Sequence, residues 1–204
     1  MESTAYSLLA QIVFFIAAVA SIKIGLVPVR YRIGLLVCIV LAASLVLVSG
    51  GATWFAIGIR IDNLWQALFL YAPATMAAAL ILWALSGFRK TGRVRWVHPH
   101  FLYFALPLSL AQQFFFQAFL LQRLETVFAV PLAIAVVALL YGFMHTIYPD
   151  KRFNMILASG GGVMWAILYT LAPNLIVASL SHAFLNVFAV RFSFFVFPED
   201  LEVR

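Results

Sequence analysis

Hydrophobic and polar positions alternate on a long scale in this chain. Apolar stretches about the thickness of a bilayer are parted by short polar or basic connectors, the runs lying at about 6–22, 33–48, 64–85, 102–127, 131–148, 155–172 and 175–196. A helix needs about 20 apolar residues to cross the hydrocarbon core, so the pattern predicts an all-α, polytopic membrane helix bundle of about seven transmembrane helices. The fourth run is overlong. Pro107 suits the first turn of its spanning part, which would leave 100–106 at the interface. Residues 49–63, SGGATWFAIGIRIDN, are too few to span and are interrupted by Gly50 and Gly51. They read as an interfacial or re-entrant segment, with Trp54 at headgroup level. Gly160, Gly161 and Gly162 in the sixth run predict close approach of a neighbouring helix. Neither a repeat nor a low-complexity linker divides the chain, so 1–204 reads as a single membrane-embedded domain.

Composition supports the same picture. Of 204 residues, 65% are hydrophobic and 10% charged, which excludes a soluble domain. Lys23, Arg30 and Arg32 follow the first run, Arg89, Lys90, Arg93 and Arg95 the third, and Lys151 and Arg152 the fifth. The even-numbered connectors hold only Arg60 and Arg123. The positive-inside bias then puts the odd connectors and the tail FPEDLEVR in the cytoplasm and the N terminus outside. The net charge of +6 is thereby explained as loop bias. Nucleic acid is not an expected partner, whereas the lipid bilayer and its anionic headgroups are. Cys38 is the sole cysteine and lies in an apolar run, so no disulfide framework exists. The first run has no basic residue before it and reads as a retained helix rather than a signal peptide.

Against this background the polar residues inside the runs are few. In 111–124, AQQFFFQAFLLQRL, Gln113 and Gln117 are four apart and share a helical face, with Gln112 about 100° round from Gln113. An unpaired amide in hydrocarbon costs several kcal/mol. These three therefore face the bundle interior or a cavity, as interhelical glue or as part of a site. Tyr141 and His145 are four apart at the end of the fifth run, and His182 and Asn186 four apart in the seventh. Their convergence on one pocket opening toward the cytoplasm is the hypothesis this spacing raises.

The order QQxxxQ, YxxxH, HxxxN on three separate late helices resembles the three motifs of the CPBP family, the CAAX proteases and bacteriocin-processing enzymes. Those motifs read EExxxR, FxxxH, and HxxxN or HxxxD. The likeness runs past the first motif, QQFFFQAFLLQRL being similar to family stretches such as EELLFRGYLLPRL, and YGFMHTIYP is similar to FGLxH followed by a proline loop. It covers about 107–190. Carried over, Gln112 and Gln113 stand where the family has its glutamates, Gln117 where it has arginine and Tyr141 where it has phenylalanine. His145, His182 and Asn186 match outright. The resemblance implies a site at which glutamate and the first histidine activate water for attack on a peptide bond near the cytoplasmic face. The second histidine and the asparagine would stabilise the oxyanion. It also implies an integral protein of the cell membrane, in a bacterium the inner one. Neutral imidazoles also serve as haem ligands, but the motif spacing already explains both histidines, and two histidines with amides make a poor zinc set. No cofactor and no metal are expected.

Both carboxylates of the first motif are amides here, and an amide cannot take a proton from water. Losing a general base costs about 10²- to 10⁴-fold in rate. Glu125, the nearest acid, is about 18 Å further along a helix at 1.5 Å per residue. Loss of the arginine together with the glutamates keeps the site neutral as a set. Two functions are thus implied. One is a catalytically degenerate relative that binds a membrane protein or peptide as a subunit, chaperone or immunity-type factor. The other is an active intramembrane endopeptidase with His145 as its base.

Overall fold

A computed structural model describes residues 2–28, 31–88, 97 and 99–195. Within these the chain forms α1 (Glu2–Lys23), α2 (Arg32–Ser49), α3 (Leu64–Phe88), α4 (Pro99–Gln113), α5 (Val130–Met144), α6 (Lys151–Leu171) and α7 (Leu175–Arg191). The fourth helix runs on past Gln113 through a π-helical stretch, Phe114–Leu121, and a last α turn, Gln122–Glu125. The fifth is closed by a 3-10 turn, His145–Ile147.

Among the described residues five helices are long and apolar enough to cross a membrane: Arg32–Ser49, Leu64–Gly87, Phe101–Glu125, Val130–Ile147 and Lys151–Leu171. Leu8–Lys23 and Leu175–Arg191 are shorter apolar helices. Large apolar side chains such as Leu45, Val48, Phe69, Trp83 and Ile156 stand exposed on the outside of the bundle. Water does not tolerate that much continuous apolar surface. Lipid does, provided that the backbone is satisfied within each helix. The protein is an integral membrane helix bundle.

The fourth helix starts earlier than Pro107. Pro99 takes its first turn, where a missing N–H costs nothing, and Pro107 lies inside the helix, as membrane helices allow when neighbours re-satisfy the freed carbonyl. From Phe114 the backbone bonding widens to i→i+5, and Phe115 to Leu121 are all buried. This stretch lies in the core of the bundle. Phe15 of α1 stacks on Phe115 at 5.2 Å and meets Phe116 edge-on at 5.4 Å, and Phe116 meets Tyr141 of α5 edge-on at 4.9 Å. Aromatic pairs of this kind contribute about 0.5–1.5 kcal/mol each beyond burial, so they tie α1, α4 and α5 together. On the other side of Phe115 and Phe119 lies an apolar groove of about 360 Å³ toward α1 and α2, lined also by Gln11, Phe14, Ile39 and Val46.

Helices α5 and α6 make the closest pairing. A Cβ on Gly162 would sit 2.9 Å from Ala138 Cα, and one on Gly142 would sit 2.7 Å from the Met155 carbonyl oxygen. Backbones that near require glycine. Of the glycine run, Gly162 makes this contact, while a Cβ on Gly160 would meet open space.

Residues 50–63 fold back over one end of the bundle. Tyr169 Oη donates to the Ile57 carbonyl at 2.8 Å and Leu175 N to the Gly58 carbonyl at 2.8 Å. Asn174 Nδ2 donates to the Arg60 carbonyl at 3.0 Å and to Asn63 Oδ1 at 2.9 Å. Gly58 has φ +77° and lies against the Tyr169 hydroxyl, so a side chain there is excluded twice over. Trp54 remains 71% exposed, as a residue anchored in headgroups would be.

Candidate functional site

Helices α4 and α7 pack antiparallel, and their polar contacts form two rungs of one register. Gln113 Nε2 donates to His182 Nδ1 at 3.1 Å, and Asn186 Nδ2 donates to Ser109 Oγ at 3.1 Å. Four residues back along α4 corresponds to four residues on along α7, the spacing that keeps one face of each helix toward the other. Gln113, His182 and Ser109 are fully buried.

His182 is held on every side. With Gln113 donating to Nδ1, the proton of the neutral ring resides on Nε2, which donates to Tyr141 Oη at 2.7 Å. Trp165 of α6 lies over the ring, centroids 4.3 Å apart, and its indole N–H donates to Ser181 Oγ at 3.1 Å. Ser181 Oγ also shares a 2.6 Å hydrogen bond with Thr75 Oγ1 of α3. Four helices thus fix one imidazole, and neither ring nitrogen is left for a ligand.

His145 closes α5. Its Nδ1 donates to the Tyr141 carbonyl at 2.9 Å, which leaves Nε2 as the nitrogen bearing the lone pair. The rings of Tyr141, Phe195 and Tyr148 surround it at 4.8, 4.9 and 5.9 Å, and only 5% of the residue is exposed. Tyr141 joins the two histidines, its carbonyl to one and its hydroxyl to the other.

The three glutamines differ in their surroundings. Gln113 belongs to the His182 cluster. Gln117, one turn on within the π-helical stretch and fully buried, finds no hydrogen-bond partner for either amide atom among the described residues, and neither does Gln112 Oε1. The first-motif amide with a histidine contact is thus Gln113, and its histidine is His182 rather than His145. None of the motif residues lines the groove beside Phe115. Among the described residues no carboxylate hydrogen-bonds to the cluster. Glu125, at the far end of the fourth helix, accepts from Thr170 Oγ1 at 3.1 Å.

Sequence reasoning missed Ser109, Thr75, Trp165 and Ser181. The available signal was weak: Ser181 directly precedes His182, and Ser109 lies four residues before Gln113 on the same face.

Fold and site together define a membrane-embedded helix bundle with a buried histidine–tyrosine–glutamine cluster. Residues 93–188, just under half of the chain, match the sequence model described as type II CAAX prenyl endopeptidase Rce1-like. That segment contains every residue of the cluster apart from Thr75 of α3 and Phe195. No curated protein and no solved structure matches the chain.

Proposed function

We propose that this protein is a catalytically degenerate relative of the CAAX endopeptidases that binds a membrane protein or peptide, as a complex subunit, chaperone or immunity-type factor. The observation that carries this reading is His182, whose two nitrogens are both taken by Gln113 and Tyr141. An oxyanion donor must offer an N–H to the substrate, and a general base must hold a free lone pair. The amides at 112 and 113 supply neither carboxylate of the family pattern. A neutral, tightly packed cluster keeps the scaffold rigid and leaves recognition to the surfaces around it.

In this reading the chain lies in the cell membrane, in a bacterium the inner one, with the N terminus outside and the C terminus in the cytoplasm. The basic residues Lys23, Arg32, Lys151 and Arg152 support that orientation. A second reading, an active endopeptidase, has one observation in its favour: His145 directs Nδ1–H to a carbonyl and keeps Nε2 basic.

Purification in mild detergent with photo-crosslinking tests binding. A defined membrane protein or peptide captured equally by the unmodified chain and by His145→Ala is the expected result. Capture that depends on His145, with the captured chain recovered as fragments, would favour the endopeptidase.

A further inference from the structure

Four amide atoms of the QQFFFQ stretch are buried with no hydrogen-bond partner among the described residues: Gln112 Oε1, Gln113 Oε1, and both Oε1 and Nε2 of Gln117. Gln113 and Gln117 are 0% exposed, so neither bulk water nor lipid headgroups reach them. Native interiors leave few such groups unpaired, and membrane interiors enforce this more strictly. Nearby groups that could serve are already engaged. His182 is bonded at both nitrogens, the Tyr141 hydroxyl is on His182, and the Trp165 indole is on Ser181.

The count of orphaned atoms defines the missing partner. Three oxygens need donors and one amino group needs acceptors, and exchanging O and N within Gln117 leaves that count unchanged. No ionised side chain hydrogen-bonds to the cluster among the described residues, so the occupant is neutral. Water has this valence and makes about three hydrogen bonds when buried among polar groups. The backbone is suited as well: Gln117 lies in the π-helical stretch, where i→i+5 bonding widens the turn. We propose that the Gln117 amide, both of whose polar atoms are buried without a partner among the described residues, holds internal water inside the fourth helix. This hydration site is independent of whether the chain cleaves peptides, so its failure leaves the proposed function untouched.

Gln117→Met, nearly matched in length, tests the site in the full chain reconstituted in lipid nanodiscs. An amide without a partner gains from this change, whereas a hydrated one loses its water contacts. The melting temperature is expected to fall by several degrees; an unchanged or raised value overturns the proposal. Should the variant not fold, a structure of the unmodified chain at a resolution that shows water decides. Ordered water within hydrogen-bond distance of a Gln117 amide atom supports the site. A dry site there, or density belonging to a lipid or peptide, overturns it.

Discussion

At His182 two polar neighbours and the ring of Trp165 converge on a single imidazole, and the hydroxyl of Tyr141 is the neighbour most easily removed alone. Tyr141→Phe leaves the contacts with Phe116 and Trp165 in place but deprives a buried imidazole N–H of its acceptor. A loss of about 1–3 kcal/mol is expected, read as a lower melting temperature in detergent; an unchanged melt would mean that the hydroxyl does not carry the contact. A second prediction concerns Gln113. A glutamate there would lie against His182 in an apolar core, where a lone carboxylate takes up a proton. The triple variant Gln112→Glu, Gln113→Glu, Gln117→Arg should therefore give more folded protein than the double variant without the arginine, as judged by monodisperse yield. The residues that the i, i+4 spacing singled out, Tyr141, His145, His182 and Asn186, are those that the structure joins or places one rung apart. Ser109, Thr75 and Ser181 were not legible, because a hydroxyl in an apolar helix bonds its own backbone as readily as a neighbour. Which it does depends on helix register, and no local pattern records that.

At the scale of the element, hydrophobic run length was enough to locate each helix, because hydrocarbon leaves an exposed chain few alternatives. It was not enough to reveal the π-helical stretch, since Phe114–Leu121 would be equally apolar as α-helix. The rings of Phe115 and Phe116 in that stretch pack against Phe15 of α1 and Tyr141 of α5. Proline misled in the fourth helix for a related reason: Pro107 is a start signal only where the backbone has water to satisfy it. The glycine contacts can be tested directly. Gly162→Ala, forced toward Ala138, should cost about 1–3 kcal/mol, whereas Gly160→Ala, with open space beside it, should be neutral or stabilising by up to ~1 kcal/mol. Equal effects in thermal unfolding would contradict the α5–α6 packing. At the other end of the bundle, Asn174 caps α7 by accepting from Val177 N at 3.0 Å while holding residues 60 and 63. The hydrogen bond from Arg60 holds the Asp62 carboxyl below the usual carboxylate range. Its small contribution is present above that range and fades as pH falls through the lowered value. Because both side chains are exposed, salt should weaken it further. Protection of 50–63 against hydrogen exchange, measured relative to the intrinsic rate at each pH, should accordingly fall under acid and more strongly in Asn174→Ala.

For the whole molecule, an odd number of crossings puts the two ends on opposite sides, so tags at the N and C termini should be accessible from outside and inside respectively. Both tags on one side would remove a helix from the count. Among the described residues no carboxylate hydrogen-bonds to the polar centre of the bundle, and both ring nitrogens of His182 are taken by Gln113 and Tyr141. Proteolysis by the unmodified chain is therefore the measurement that bears most directly on the account. Reconstituted in liposomes with a membrane-anchored candidate substrate, the chain and His145→Ala should give the same background, since loss of the base alone removes about 10²- to 10⁴-fold. Robust cleavage by the unmodified chain, abolished by His145→Ala, would contradict it.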